Sequence, residues 1–260
     1  YTDTGVLAKK AIAAAKNLGK VTIVGDSSDK NYNYIPQGYK IPEDIDYFHS
    51  TSNNTIYGTQ MKEFPVCPTL MVCDMSSDIF SRKVEVSKFD IIYAGAQKNM
   101  GPAGATLVIV KDEILGKTGR KIPTMLDYNT HISKDSMFNT PPVFPIYVSM
   151  LTLQWLKDLG GVEVIEKINQ AKADLLYGEI DRNPLFEGTA AIEDRSNMNV
   201  TFLLTDESKE EEFNKMWNEA GINGLKGHRS VGGYRASMYN AMPIESVQVL
   251  VDVMKKLEQN

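Results

Sequence analysis

The chain has 260 residues, of which 42% are hydrophobic and 23% are charged, an ordinary composition for a globular protein. Its formal net charge of −5 argues against a general nucleic-acid surface. No stretch reaches the roughly 18 consecutive apolar residues that a membrane-spanning helix requires, so no membrane partner is expected.

Continuous apolar runs in the first part of the chain predict buried strands. A helix-forming segment at 5–16 precedes them, and a polar, tyrosine-rich segment at 26–42 predicts a surface excursion. Runs without alternation are typical of strands covered on both faces of an α/β sheet, whose ligands bind beyond the carboxyl ends of the strands. The predicted strands are 21–24, 47–49, 69–73, 89–93 and 105–110.

A predicted amphipathic helix begins after Pro141-Pro142 and ends near Gly160-Gly161, and a second helix covers 162–180. The first of these helices has an apolar face made of Val143, Ile146, Tyr147, Met150, Leu151 and Trp155. Beyond this pair the sequence predicts a smaller α+β unit, with strands at 197–204 and 234–239 and helices at 208–220 and 243–257. We therefore predict a large domain over 1–158 and a small domain over 159–260.

Two charged side chains follow neighbouring predicted strands, Asp74 and Lys98, and small residues leave open space around the lysine. Pyridoxal 5'-phosphate (PLP) chemistry needs a lysine that attacks an aldehyde and a carboxylate that keeps a pyridine nitrogen protonated. The pair therefore predicts a PLP site. The plainer interpretations are a surface lysine at a strand end and a helix-capping aspartate, and Asp78 competes with Asp74 for the carboxylate role.

A glycine-rich segment at 227–235 contains His228, Arg229 and Arg235, and such a cluster predicts an anion site because arginine binds carboxylate and phosphate bidentately. A basic surface turn is the alternative. His49 and His131 lack metal-ligand spacing, so no metal site is expected. The two cysteines, Cys67 and Cys73, predict reduced thiols of a cytosolic protein.

The ordered motifs Asp74-Met75-Ser76-Ser77, 93–104, 137–142 and 225–243 together resemble the phosphoserine aminotransferases. These are fold-type I PLP enzymes of the class V aminotransferase family, and the resemblance runs along essentially the whole chain. It implies a mostly parallel sheet flanked by helices, with a smaller C-terminal α+β domain.

For the cofactor, the resemblance implies that Lys98 binds PLP covalently and moves a substrate proton, and that Asp74 pairs with the ring nitrogen. Thr55 would bond the ring hydroxyl. Ser76 and Gln97 would help to hold the phosphate.

For the partner subunit and the substrate, the resemblance implies a homodimer with shared active sites, in which Asn139 and Thr140 reach the PLP phosphate of the neighbouring subunit. His228 and Arg229 would bind the phosphate or side-chain carboxylate of the substrate. Arg235 would hold its α-carboxylate.

The implied reaction exchanges amino groups between glutamate and 3-phosphohydroxypyruvate, giving phosphoserine and 2-oxoglutarate in serine biosynthesis. The family implies a second activity in the phosphohydroxythreonine step of pyridoxine biosynthesis.

This chain departs from the family pattern in two places. The family is longer at the amino end, which predicts that this chain lacks the amino-terminal part. Leu7 also stands where the family usually places a tryptophan that stacks on the cofactor ring.

Two alternatives stay open at this point. One is another fold-type I transaminase, of the serine–pyruvate or alanine–glyoxylate type, which has no use for the second anion site at His228 and Arg229. The other is a non-catalytic PLP-binding fragment.

Overall fold

The computed structural model describes residues 1–229 and 231–259. Within them the helices are α1 (Val6–Lys16), α2 (Tyr128–Ile132), α3 (Val143–Asp158), α4 (Val162–Arg182), α5 (Glu210–Glu219) and α6 (Ile244–Gln259). The strands before α2 are β1 (Thr2–Asp3), β2 (Gly25–Asp26), β3 (Tyr47–Thr51), β4 (Asn53–Asn54), β5 (Thr59–Gln60), β6 (Leu70–Asp74), β7 (Ile91–Gly95) and β8 (Thr106–Val110). Those after α4 are β9 (Phe186–Gly188), β10 (Asn199–Leu204) and β11 (Tyr234–Ser237).

The main sheet has the order β3-β6-β7-β8, and its first three strands are parallel. The register pairs Thr51 with Asp74 and Asp74 with Tyr93, so the carboxyl ends of these three strands lie side by side. Their apolar residues form one buried core with the turns that follow them, which explains the continuous apolar runs. The fourth strand, β8, runs antiparallel to β7 and is only half-buried to exposed, so it departs from the prediction of full coverage.

Several predicted boundaries differ from the structure. The apolar run at 21–24 forms no strand, because the two-residue strand β2 that pairs with β1 begins at Gly25. The segment 26–42 is not a simple surface excursion, since Tyr32, Ile35 and Ile41 are buried. Strand β7 also begins two residues later than predicted.

The C-terminal residues build an antiparallel sheet in the order β11-β10-β9, packed with α4, α5 and α6. Its core is a separate cluster of buried apolar side chains from residues 173–257, whereas the cluster of the main sheet comes from residues 41–100. A division at 158/159 lies between the two clusters and stays a prediction. No helix among the described residues is long and apolar enough to cross a membrane.

Helix α3 has the predicted length, but its apolar face is not buried. Only Leu156 of this helix is buried, and Trp155 at its C-terminal end remains 41% exposed. The predicted apolar face is thus an uncovered apolar surface on this chain. Its exposed members are Val143, Phe144, Ile146, Tyr147, Met150, Leu151 and Trp155.

The buried lysine Lys172 ties α4 to the segment after β11. It is 0% exposed, and its Nζ donates to the carbonyl oxygens of Met238, Tyr239 and Met242 at 3.1, 2.9 and 3.1 Å. Burial lowers the pKa of this amine to about 8. Three carbonyl acceptors therefore offset the desolvation of one ammonium group.

We expect Lys172→Met to lower the free energy of unfolding by about 3 kcal/mol, because three buried or partly buried carbonyls lose their donor. Urea unfolding measures the change. The control is Lys167→Met on an exposed position of the same helix, which should stay within about 0.5 kcal/mol of the parent. Equal losses in the two variants would contradict the role of the carbonyl contacts.

Candidate active site

The site is built at the carboxyl ends of β6 and β7. Asp74 is the last residue of β6, and its Oδ1 accepts the backbone N–H of Ser76 at 2.9 Å. The register places Tyr93 of β7 directly beside it, and burial together with the Asp74 charge raises the pKa of the Tyr93 hydroxyl. The strand end therefore fixes the carboxylate on a turn that opens toward Lys98.

Lys98 lies on the tight turn that follows β7. The N–H groups of Met100 and Gly101 both donate to the carbonyl of Ala96, at 3.1 and 2.8 Å, which closes the turn around the lysine. The Lys98 Nζ is half-buried and donates to Thr55 Oγ1 at 2.9 Å. Two residues that the sequence analysis placed at one site are thus in direct contact.

The electrostatics join Lys98 to Asp74 and Arg235. Burial lowers the pKa of the Lys98 amine, the Asp74 carboxylate opposes this shift, and the Arg235 guanidinium adds to it. A depressed pKa leaves more of the amine in the neutral form that attacks an aldehyde.

Asp78, the competing carboxylate, is engaged elsewhere. It is 4% exposed, and it accepts from Ser52 Oγ, from Gln60 Nε2 at 3.1 Å and from Arg82 Nη2 at 3.4 Å. A buried carboxylate with three such partners stabilises the turn after β6. Asp74 is therefore the better candidate to face a ring nitrogen.

Ser76 and Gln97 flank the backbone of Gly95. Ser76 Oγ accepts the Gly95 N–H at 3.1 Å, which leaves the hydroxyl proton available to donate. A Cβ on Gly95 would lie 2.5 Å from Oε1 of Gln97, the far end of an exposed side chain that can move aside, so Gln97 lies close against this backbone. Ser76 and Gln97 therefore both lie at the Gly95 backbone, close to the Lys98 turn.

Arg235 lies in the middle of β11, opposite Thr201 of β10. Its backbone N–H donates to the carbonyl of Leu225 at 2.7 Å, which fixes the strand. The Nε of its guanidinium is buried and has no hydrogen-bond partner among the described residues. An unpaired N–H of this kind beside a lysine suits an anionic ligand group.

His228 and Arg229 lie on the turn that leads into β11, and Ser230 lies outside the described residues. The His228 carbonyl accepts the N–H groups of Val231 and Gly232 at 2.8 and 2.9 Å. His228 is half-buried, and Arg229 is exposed. The Arg235 guanidinium affects the pKa of Lys98, whereas the contacts described above do not bring His228 or Arg229 to that lysine.

Asn139, Thr140 and Leu7 are also placed apart from the contacts of Lys98. Asn139 and Thr140 are exposed in the segment before α3, where Asn139 Nδ2 lies 3.7 Å from the Met125 sulfur. Leu7 is half-buried in the first turn of α1. Their predicted roles therefore stay predictions.

Sequence reasoning missed an aromatic layer behind Asp74. His49 Nε2 lies 2.9 Å from the Tyr93 hydroxyl, and burial lowers the pKa of His49 to about 4, so this histidine is neutral near pH 7. Burial also raises the pKa of Tyr93, which keeps its hydroxyl protonated. Polar aromatic residues inside otherwise apolar strands were the available signal.

A second missed residue is Tyr239, whose hydroxyl accepts from Asn199 Nδ2 at 3.2 Å. Burial raises the pKa of this hydroxyl, and the bond from Asn199 and the charge of Arg235 oppose the shift, so Tyr239 belongs to the surroundings of Arg235. Its position just beyond the arginine-containing motif was the only sequence signal.

The described residues fit a PLP molecule. They supply a half-buried amine with a lowered pKa and a carboxylate at the end of a neighbouring strand. They also supply a buried guanidinium N–H without a partner among the described residues. These three groups suit an aldehyde, a pyridinium nitrogen and an anionic group.

A fold and a site of this kind define a PLP-dependent aminotransferase of fold type I. Residues 1–250 match the family model "Aminotransferase class-V". The chain belongs to the class-V aminotransferase family, and within it the chain groups with the phosphoserine aminotransferases. The fold class, the enzyme class and the cofactor predicted from the sequence are thereby confirmed.

Two curated relatives and one solved structure, all of them phosphoserine aminotransferases, match this chain. The chain is 69% identical to the phosphoserine aminotransferase of Flavobacterium psychrophilum, over 99% of this chain and 72% of that protein. It is 60% identical to that of Parabacteroides distasonis, over 100% of this chain and 74% of that protein. The structure of a phosphoserine aminotransferase from Bacillus circulans subsp. alkalophilus matches with a TM-score of 0.96 and 42% identity, over 100% of this chain and 73% of that one.

A PLP-bound phosphoserine aminotransferase from Trichomonas vaginalis matches with a TM-score of 0.91 and 35% identity, over 98% of this chain and 74% of that chain. An alanine–glyoxylate aminotransferase from Nostoc shares the fold, with a TM-score of 0.78, but only 14% identity. That likeness is one of fold alone.

The two charges beside Lys98 should shift its pKa in opposite directions. We expect Asp74→Asn to lower it further and Arg235→Gln to raise it, because the first removes a favourable anion and the second an unfavourable cation. Competitive acetylation of the cofactor-free protein across a pH series, read by mass spectrometry, measures this. The exposed Lys167 is the internal reference. Shifts of the same sign would contradict the geometry.

The two aspartates should separate by stability. We expect Asp78→Asn to lower the free energy of unfolding by about 2–4 kcal/mol, because Arg82 loses its charged partner in a buried setting. Asp74→Asn should cost less than about 1 kcal/mol, since an amide oxygen still accepts from Ser76. Chemical denaturation measures both, and the reverse order would refute the assignment of Asp78 as the structural carboxylate.

Proposed function

We propose that this protein transfers the amino group of glutamate to 3-phosphohydroxypyruvate, giving O-phosphoserine and 2-oxoglutarate. The observation that carries the proposal is the convergence of Lys98, Asp74 and Arg235 on one site. This convergence occurs in a chain that is 69% identical to a phosphoserine aminotransferase. The serine-biosynthetic step and, as a second activity, the phosphohydroxythreonine step of pyridoxine biosynthesis follow from that assignment.

Bound PLP supplies an aldehyde for the amino group and a ring that withdraws electrons from the substrate Cα. In the proposal, Lys98 holds the cofactor through its amine and, once displaced, carries the proton removed from Cα. Asp74 holds a proton on the ring nitrogen, and the Tyr93 hydroxyl steadies the carboxylate. Thr55 orients Lys98 and bonds the ring hydroxyl.

Substrate binding needs two anion sites in this proposal. Arg235 holds the α-carboxylate, which its buried Nε supports because it has no partner among the described residues. His228 and Arg229 hold the phosphate of phosphoserine or the side-chain carboxylate of glutamate. Their place on the turn entering β11 puts them on the same segment as Arg235.

The phosphate of PLP would be held by Ser76 and Gln97, and by Asn139 and Thr140 of a neighbouring subunit. Leu7 would pack against the ring as an apolar surface without a π face. The donors around Gly95 support the first pair, and the exposure of the segment before α3 leaves the second pair available to a partner.

We infer that the protein is a homodimer, because a large apolar surface is uncovered on this chain. The segment before α3 also carries exposed apolar residues, and a large exposed apolar surface is typical of an interface. These residues are Ile122, Met125, Leu126, Tyr128, Ile132, Met137 and Phe138. We further propose a cytoplasmic location, which the free thiols of Cys67 and Cys73 support.

The test of the proposed reaction is a visible spectrum of the protein with PLP, followed by addition of glutamate. We expect a visible band of lysine-bound cofactor that disappears with glutamate and returns with 3-phosphohydroxypyruvate. Lys98→Ala is the control and should form no such band. A band that persists in Lys98→Ala, or one that does not respond to glutamate, would contradict the proposal.

The substrate assignment has its own test. We expect Arg229→Gln to reduce kcat/KM for phosphoserine about 100-fold and to change the alanine reaction less than about threefold, because a bidentate charged contact is lost only for the phosphorylated substrate. Lys226→Gln, on the same turn, is the matched control. Equal losses for the two substrates in Arg229→Gln would remove the phosphate role.

A further inference from the structure

Three consecutive carbonyl groups of one turn are bound by three asparagine side chains from different parts of the chain. Asn99 Nδ2 donates to Ile79 O at 3.0 Å, Asn240 Nδ2 to Phe80 O at 3.0 Å, and Asn169 Nδ2 to Ser81 O at 3.1 Å. All three asparagines are buried, with 1–4% exposure. We call this set, with residues 79–81, the asparagine junction.

The three asparagines are also bonded to one another. The backbone N–H of Asn240 donates to the side-chain Oδ1 of Asn99 at 3.0 Å, and the side-chain Nδ2 of Asn169 donates to Asn240 Oδ1 at 2.9 Å. A buried network in which each member depends on its neighbours responds as a unit when one member is removed.

Each segment that meets at the junction carries a residue of the proposed active site or supports one. The turn 79–81 follows Asp74, Asn99 is the residue after Lys98, and Asn240 follows Tyr239 and Arg235. Asn169 belongs to α4, whose Lys172 holds the carbonyls of Met238, Tyr239 and Met242. The junction is thus the place where the lysine turn is joined to the arginine strand.

The turn is held in an unusual conformation. Phe80 has a φ of 58°, in the left-handed region that bulky residues rarely adopt, and its carbonyl is the one that accepts from Asn240. A residue stays in such a backbone conformation where the contacts around it hold it there.

We propose that Asn99 and Asn240 are positioning residues, which fix the Lys98 amine relative to Arg235 through the asparagine junction. These two asparagines contact neither the Lys98 amine nor the Arg235 guanidinium. They act by holding the backbone of the Lys98 turn in place relative to the backbone of β11. A displacement of about 1 Å at a reacting group costs up to 100-fold in rate, so loosening the junction should be visible in kinetics. The kinetic measurement described below rests on the proposed transamination, whereas the hydrogen bonds of the junction do not.

The test uses Asn99→Ala and Asn240→Ala, with Asn183→Ala as the matched control. Asn183 is buried and also donates to a carboxylate and a carbonyl, those of Glu179 and Met254, but it lies between α4 and α6. Hydrogen–deuterium exchange of the cofactor-free proteins is the first measurement. We expect Asn240→Ala to speed exchange of the Met100 and Gly101 N–H groups about tenfold or more beyond the control.

Steady-state kinetics of the PLP-loaded proteins is the second measurement. Asn99→Ala should lower kcat about tenfold or more with little change in KM for glutamate, whereas Asn240→Ala should also raise that KM, because it loosens the strand of Arg235. The milder Asn99→Ser replaces Asn99→Ala if the latter does not fold.

Exchange at 100–101 and kinetics no different from those of Asn183→Ala would overturn the proposal. Faster exchange at 100–101 in Asn240→Ala, together with no transaminase activity in the PLP-loaded parent protein, would support the junction and count against the proposed reaction. A failure of the junction and a failure of the proposed reaction are therefore distinguishable.

Discussion

The parallel register of β3, β6 and β7 is the constraint on which the rest of the site depends. It sets Thr51, Asp74 and Tyr93 side by side at one edge of the sheet. Since parallel strands end at the same edge, the turns after them must share that space. The Lys98 turn and the Asp74 turn are neighbours for this reason, and a shift of either strand by one residue would turn its functional side chain to the other face.

Buried polar side chains convert this edge into a rigid site. Residues 50–55, from the end of β3 through β4, are buried although none is apolar. Asn53 of β4 donates to Ser77 Oγ and to Asn199 Oδ1, both at 2.8 Å, so the segment after β3 is bonded both to the turn after β6 and to β10 of the C-terminal sheet. Unpaired buried polar groups are costly, so these bonds specify one arrangement of the two sheets.

The sequence predicted what depends on local patterns. Apolar runs located β3, β6, β7 and β8 within two residues, and the helix signals located α3 and α4. It also placed Lys98 and Asp74 beyond strand ends. It could not predict which strands pair, so the antiparallel direction of β8 was missed. It predicted the apolar face of α3 but not its exposure, because periodicity shows that a face is apolar but not what covers it.

Site residues that act through long-range contacts were the hardest to predict. Tyr239 is bonded to Asn199, 40 residues away, and the asparagine junction joins residues 80 and 240. Nothing in the local sequence distinguishes these side chains from ordinary loop polar residues. Asp78, by contrast, was a reasonable competitor for Asp74 until its three partners were known.

The most direct test of the account is to incubate the protein with PLP, reduce the complex with borohydride and map the modified peptide by mass spectrometry. The account predicts one pyridoxyl group per chain, attached to Lys98. Attachment at another lysine such as Lys172, or no attachment at all, would contradict the site described above.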